Sequence, residues 1–186
     1  MKIFHLLVIM TLISFAYQKQ LFKNLGGKKI ILADSNIENI RKNILIQHNY
    51  YRKRHQVDDL IRNSEIEAIA QAYSDKLAST SGTGHSGNKY NGASLGENLY
   101  YCWGSYQMTV TGGEATDAWY NEVSLYDFNN PGYVKGVGHF TQLVWKGSKQ
   151  LGCGATCANN YCAVTCNYFP AGNVLGYFDS NVFPAK

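Results

Sequence analysis

At 186 residues, 45% of them hydrophobic and 16% charged, the chain holds one ordinary globular domain plus an extension, with enough length to bury a full core. The net charge of +4 is confined to the first 34 residues, where five lysines face one aspartate, and from Ser35 onward acids and bases cancel. A neutral domain has no electrostatic reason to seek nucleic acid, which excludes that class of partner.

The chain opens on Met1-Lys2 and an apolar run from Ile3 to Phe15, with Ser14 and Ala16 placed for cleavage before Tyr17. This pattern predicts a secretory signal peptide at 1–16, too short to cross a bilayer comfortably. No later run approaches spanning length, so no membrane span is expected and the product is expected to be extracellular. Residues 17–34, with Lys19, Lys23, Lys28, Lys29 and Gly26-Gly27, read as a propeptide or flexible basic arm ahead of a domain at 35–186.

Three capping boxes then mark helices. Ser35-Asn36-Ile37-Glu38 opens one with Ile37, Ile40, Ile44, Leu45 and His48 on one face, running to about His55. Ser64-Glu65-Ile66-Glu67 opens a second, with Ile66, Ile69, Ala70, Tyr73 and Leu77 on its face and its end before Ser81-Gly82. After a Gly/Ser/Asn-rich stretch containing His85, a short strand is expected over 97–101. Thr111-Gly112-Gly113-Glu114 opens the third helix, with Ala115, Ala118, Trp119 and Glu122 on one face. The glycine-rich loop 129–138 leads into Gly138-His139-Phe140-Thr141-Gln142-Leu143-Val144-Trp145, a short helix headed by an imidazole. The tail 173–178 is read as another strand. Early helices and late antiparallel strands indicate an α+β fold.

Five cysteines agree with export. Cys153, Cys157, Cys162 and Cys166 flank an Asn-Asn turn between β-prone segments, which reads as a hairpin. The pairs 153/166 and 157/162 share one residue-number sum, as facing positions in a fixed register must, so both can be cross-strand disulfides. A zinc knot is the rival reading. Cys102 is left as a free buried thiol or as a partner in a different connectivity.

Four polar residues are candidates to meet in one cleft: His85, Glu97, Glu122 and His139. Glu122 falls on an apolar helix stripe, where a carboxylate must be paired or face a wet cleft. By pattern alone Glu97 is better read as an exposed edge residue, and each of His85 and His139 as a surface or core histidine rather than a ligand. His48 and His55 are read as structural. Gly92-Ala93-Ser94-Leu95-Gly96 matches the nucleophile-elbow string, but the strand-to-helix context that makes Ser94 a nucleophile is missing. Ser86 beside His85 has no identifiable orienter.

The segments 138–145 with Gly152-Cys153-Gly154, and 164–173 with Cys166-Asn167-Tyr168-Phe169-Pro170, resemble the two C-terminal signatures of the CAP superfamily of cysteine-rich secretory, antigen 5 and pathogenesis-related class-one proteins. Ile46-Gln47-His48-Asn49-Tyr50-Tyr51-Arg52 and Gly96-Glu97-Asn98-Leu99 resemble it too. The similarity covers roughly Ile37 to Phe183. It implies a three-layer α-β-α sandwich with a central antiparallel sheet and a large groove, and it places the family's cleft tetrad on His85, Glu97, Glu122 and His139. It further implies a divalent metal such as Zn2+ on His85 and His139. By the same resemblance the loop with Tyr126, Phe128, Pro131, Tyr133 and Val137 is implicated in sterol or fatty-acid binding. The family's cysteine-rich hinge is missing, and the odd cysteine count departs from a fully paired pattern.

Two functions follow from this reading. The first is a secreted binding protein for a metal, a lipid or a protein partner. The second is a metal- or histidine-dependent, protease-like hydrolase, for which a credible nucleophile is lacking. Binding is the preferred reading.

Overall fold

The computed structural model describes residues 34–186, so the leader and nearly all of the basic arm lie outside the described residues. Helix α1 spans Asp34–Arg54, α2 Ser64–Thr80, α3 Gly113–Asn121 and α4 Gly138–Leu143. The strands are β1 Ile61–Arg62, β2 Lys89–Tyr90, β3 Ala93–Ser94, β4 Gly96–Trp103, β5 Gln150–Ala158 and β6 Tyr161–Phe169. The main sheet has the order β1-β5-β6-β4, antiparallel throughout except for the two-residue parallel edge β1, while β2 and β3 form a separate hairpin.

The sheet divides the molecule because alternate residues point to opposite faces. Cys153, Ala155 and Cys157 of β5 and Cys162, Val164, Cys166 and Tyr168 of β6 join the main core with residues of α1, α3 and α4. Leu99 of β4 and Tyr161 and Ala163 of β6 face the other way and pack with Leu77 and Ala78 of α2. The result is the expected three-layer α+β sandwich. Helix α2 lies very close to its face, and Gly152 and Gly154 are the reason. A Cβ on Gly152 would stand 2.3 Å from the Glu67 nitrogen, and one on Gly154 would stand 2.3 Å from the Gln71 Cα. Any side chain there would push the helix off the sheet.

The hairpin register is the one the cysteine spacing implies. Cys153 faces Cys166 and Cys157 faces Cys162, both pairs are disulfides, and Cys102 is free.

Several local expectations are corrected. The second helix is capped by Asn63, whose side chain accepts from the Glu65 and Ile66 amides, because Glu67 turns away to pair with Arg62. In the third box Glu114 does reach back to the Thr111 amide and hydroxyl, yet Ala118 is exposed and Thr116 and Tyr120 take the buried positions. Helix α3 stops at Asn121, so Glu122 begins a separate 3-10 turn, Glu122–Leu125. The tail is no strand: Tyr177 closes a turn onto Val174, and Phe178 packs edge-on against Trp145.

His48 and His55 are core residues. Both are fully buried, and each ring has both nitrogens engaged. His48 Nδ1 lies 2.8 Å from the Ile44 carbonyl and must donate, so its Nε2 accepts from the Tyr168 hydroxyl at 2.7 Å. His55 repeats the scheme with the Phe183 carbonyl and the Tyr120 hydroxyl. Burial drives the His48 pKa down to about 3 and lowers that of His55. Arg52, equally buried, donates to the carbonyls of Asp58, Leu143, Trp145 and Ser148, anchoring the chain just beyond α4.

Candidate functional site

The loop carrying His85 is held by three tyrosine hydroxyls. Tyr73 of α2 donates to the Gly84 carbonyl at 2.6 Å, Tyr101 of β4 accepts from the Gly84 amide at 3.0 Å, and Tyr161 of β6 donates to the Gly82 carbonyl at 2.6 Å. Gly84 adopts φ +106°, which a residue with a Cβ resists, and this lets the chain turn back under His85. The imidazole that results is largely exposed, with 68% of its side chain accessible.

Beneath it lies Glu97, near the start of β4, its side chain only 6% accessible. The edge-residue expectation fails because tertiary partners close over it. Its carboxylate accepts from His85 Nδ1 at 2.9 Å, the Ser86 amide at 2.8 Å, the Ser86 hydroxyl, and Asn167 Nδ2 at 3.1 Å. Four donors offset the cost of burying a charge there. Asn167 faces Glu97 across the β4–β6 ladder and also accepts from Asn88.

The second carboxylate is built differently. Glu122 Oε2 accepts from the backbone amides of His139 at 2.9 Å and Phe140 at 3.1 Å, so it caps the first turn of α4. Its other oxygen receives His139 Nδ1 at 2.6 Å. The His139 ring lies nearly parallel to Trp119, with centroids 6.4 Å apart, and 37% of its side chain is accessible. Trp119 is itself fixed by donating to the Leu99 carbonyl at 3.0 Å.

The structure thus brings the four residues together as two histidine–glutamate dyads, His85–Glu97 and His139–Glu122. Among the described residues no hydrogen bond or ion pair joins one dyad to the other. They are linked through β4: Asn98, next to Glu97, donates to the His139 carbonyl at 2.9 Å and to the Tyr168 hydroxyl at 3.1 Å. In both dyads Nδ1 is committed to a carboxylate, and neither Nε2 has a protein partner among the described residues.

The remaining candidates separate clearly. Ser94 sits exposed on the two-residue strand β3, with no helix following. Ser86 does have an orienter, Glu97. In the 126–137 loop, Tyr126 and Val137 are buried, and Phe128 is half-buried against Tyr126, His55 and Phe140. They belong to the core. Pro131 and Tyr133 are exposed, as is the neighbouring Val134, and Tyr133 approaches Gly138 directly beside His139. Sequence reasoning missed Asn98, Asn167, Trp119 and the tyrosine clamp. Only the strand register brings Asn167 to Glu97, and no local pattern announces it.

Comparison with known proteins identifies the family. The model of CAP, the cysteine-rich secretory protein family, matches residues 45–168. The chain belongs to the CAP family. It is 43% identical over 146 residues to human Golgi-associated plant pathogenesis-related protein 1, covering 77% of this chain and 92% of that relative. It is 39% identical over 141 residues to Protein PRY2 of Saccharomyces cerevisiae, covering 74% of this chain but 39% of the yeast protein. Among solved structures, that of NaASP2 with Zn2+ superposes with a TM-score of 0.63 at 24% identity, over 82% of this chain and 90% of that one. This CAP domain therefore carries both dyads, His85–Glu97 and His139–Glu122, inside the matched segment.

Proposed function

We propose that this chain is a secreted CAP-domain binding protein whose cleft engages a ligand through the two outward imidazoles of His85 and His139. The observation that carries the reading is the division of roles inside each dyad. Both carboxylates are spent as acceptors, Glu97 from four donors and Glu122 from three. They orient the rings and leave each Nε2 as the group on offer, as carboxylates behind metal-bound histidines do.

Zinc or another divalent cation suits the chemistry of these donors, two imidazoles whose Nδ1 atoms are each held by a carboxylate. Among the described residues no group of three or more His, Cys, Asp or Glu side chains is placed to hold a metal. His85 and His139 would be the ligands, and a bound cation would supply Lewis-acid polarisation. Export is supported by the leader pattern at 1–16 and by two disulfides. Lipid binding, if sterol or fatty acid is the second ligand, falls to Pro131, Tyr133 and Val134 rather than to the buried loop residues.

The hydrolase alternative has less support. The Ser86 hydroxyl donates to Glu97, and neither Ser86 nor Ser94 hydrogen-bonds an imidazole among the described residues.

Calorimetric titration of zinc into chelator-stripped protein tests the metal reading. Saturable binding that is lost in His85→Ala/His139→Ala is expected, and binding that this variant retains would refute it. Tyr133→Ser is expected to reduce sterol retention severalfold with thermal stability unchanged. Full retention would remove the loop from the account.

A further inference from the structure

The unpaired Cys102 is not isolated. It faces Cys162 across the β4–β6 ladder, and Cys162 faces its disulfide partner Cys157 across the β5–β6 ladder. Directly opposed residues on adjacent strands share a face of the sheet, so three cysteines stand in one row perpendicular to the strands, with Cys162 in the middle.

The ladder also sets the spacing. The Cα atoms of Cys157 and Cys162 are 4.0 Å apart, which marks theirs as the close, non-hydrogen-bonded kind of antiparallel pair. A residue of a central strand directs its N–H and C=O to the same neighbour. Cys162 therefore turns both toward β4 and meets Cys102 as a hydrogen-bonded pair, for which the Cα separation is about 5.5 Å, inside the range that disulfides adopt. The row further puts Cys102 on the side of Cys162 opposite to Cys157. That is the approach a displacement at sulfur requires, with attacking and leaving sulfurs in line.

We infer that Cys102, Cys162 and Cys157 form a thiol–disulfide exchange centre that moves the bond from one pair of strands to the next. The Cys102 thiolate attacks Cys162 Sγ and the Cys102–Cys162 bond forms. The Cys157–Cys162 bond breaks, and Cys157 leaves as a thiolate that takes up the proton Cys102 released. No electrons are gained or lost overall. In the first isomer the bond ties the short β5–β6 turn to itself. In the second it staples β4, the strand that carries Glu97 and Asn98, to the centre of the sheet and closes a far longer loop, a cross-link that restricts the unfolded chain more than the first does.

Burial, and then the Glu114 carboxylate of α3, push the Cys102 thiol pKa up against a backbone contact from Cys162. The other titratable neighbours are Tyr100 of β4 and Tyr161 of β6, both uncharged near neutrality. Thiolate is consequently scarce at neutral pH, and exchange accelerates as pH rises.

The test is to hold the full chain without reductant at pH 7 and pH 9, quench with acid, label free thiols with a maleimide and map the labelled peptides. At pH 9 the label is expected to divide between Cys102 and Cys157, at one thiol per chain, with a half-time independent of protein concentration. Label confined to Cys102, or a half-time that shortens with concentration, would overturn the inference. A Cys157→Ser chain in a glutathione redox buffer gives a second readout. It is expected to form Cys102–Cys162, and two thiols persisting there while Cys153–Cys166 is formed would equally overturn it.

Discussion

Two pairs of histidines in this domain receive opposite treatment. His48 and His55 sit in the core, with one ring nitrogen donating to a carbonyl and the other accepting from a tyrosine hydroxyl. His85 and His139 sit at the surface, with Nδ1 held by a glutamate and Nε2 left to the solvent. The same side chain is a packing element in the first case and a carboxylate-oriented, solvent-facing ring in the second. The difference lies in the partner: a neutral acceptor and donor complete a buried imidazole, whereas a carboxylate on one nitrogen prepares the other for binding.

The comparison breaks most sharply on stability. His48→Ala removes a fully buried ring and leaves the Tyr168 hydroxyl and Ile44 carbonyl short of partners. It is expected to cost about 3 kcal/mol or more in urea denaturation, whereas His85→Ala, at a largely exposed position where it removes one of four donors to Glu97, should cost about 1 kcal/mol. Equal losses would erase the distinction.

The next effect is on pH. The folded pKa of His48 lies near 3 and that of His55 is also lowered, both below an unfolded value of about 6.5. The unfolded chain then binds protons that the folded chain refuses. The stabilisation is complete above about pH 6.5 and is lost as pH falls from there toward the folded values. Each histidine contributes a slope of about 1.4 kcal/mol per pH unit within its window. Denaturation curves between pH 7 and 4.5 measure this slope. A flat profile would mean that the core imidazoles are not held neutral.

Where local chemistry decided the outcome, the chain was legible. The cysteine spacing specified the β5–β6 register, because facing positions obey a fixed relation. Apolar periodicity located the helices, and the CAP resemblance named His85, Glu97, Glu122 and His139 without their pairing. What escaped was tertiary. Glu97 looks like an edge residue until Asn167 and the 85–88 loop close over it. Ser64 opens a capping box on paper, yet Arg62 claims Glu67 and Asn63 caps the helix instead. Tyr126, Phe128 and Val137 carry the composition of a lipid-binding loop, yet Phe140 and His55 draw them into the core. Apolar content alone does not tell a loop that covers a ligand from one that seals a core.

The central claim, that carboxylates fix Nδ1 of His85 and His139 and reserve Nε2 for a ligand, is tested most directly by nitrogen NMR of the imidazoles at pH 8 before and after adding zinc. The account predicts the Nδ1–H tautomer for all four core and cleft rings. On metal addition only the Nε2 signals of His85 and His139 should shift, those of His48 and His55 staying in place. An Nε2–H tautomer at either cleft histidine, or zinc-induced shifts at neither, would contradict it.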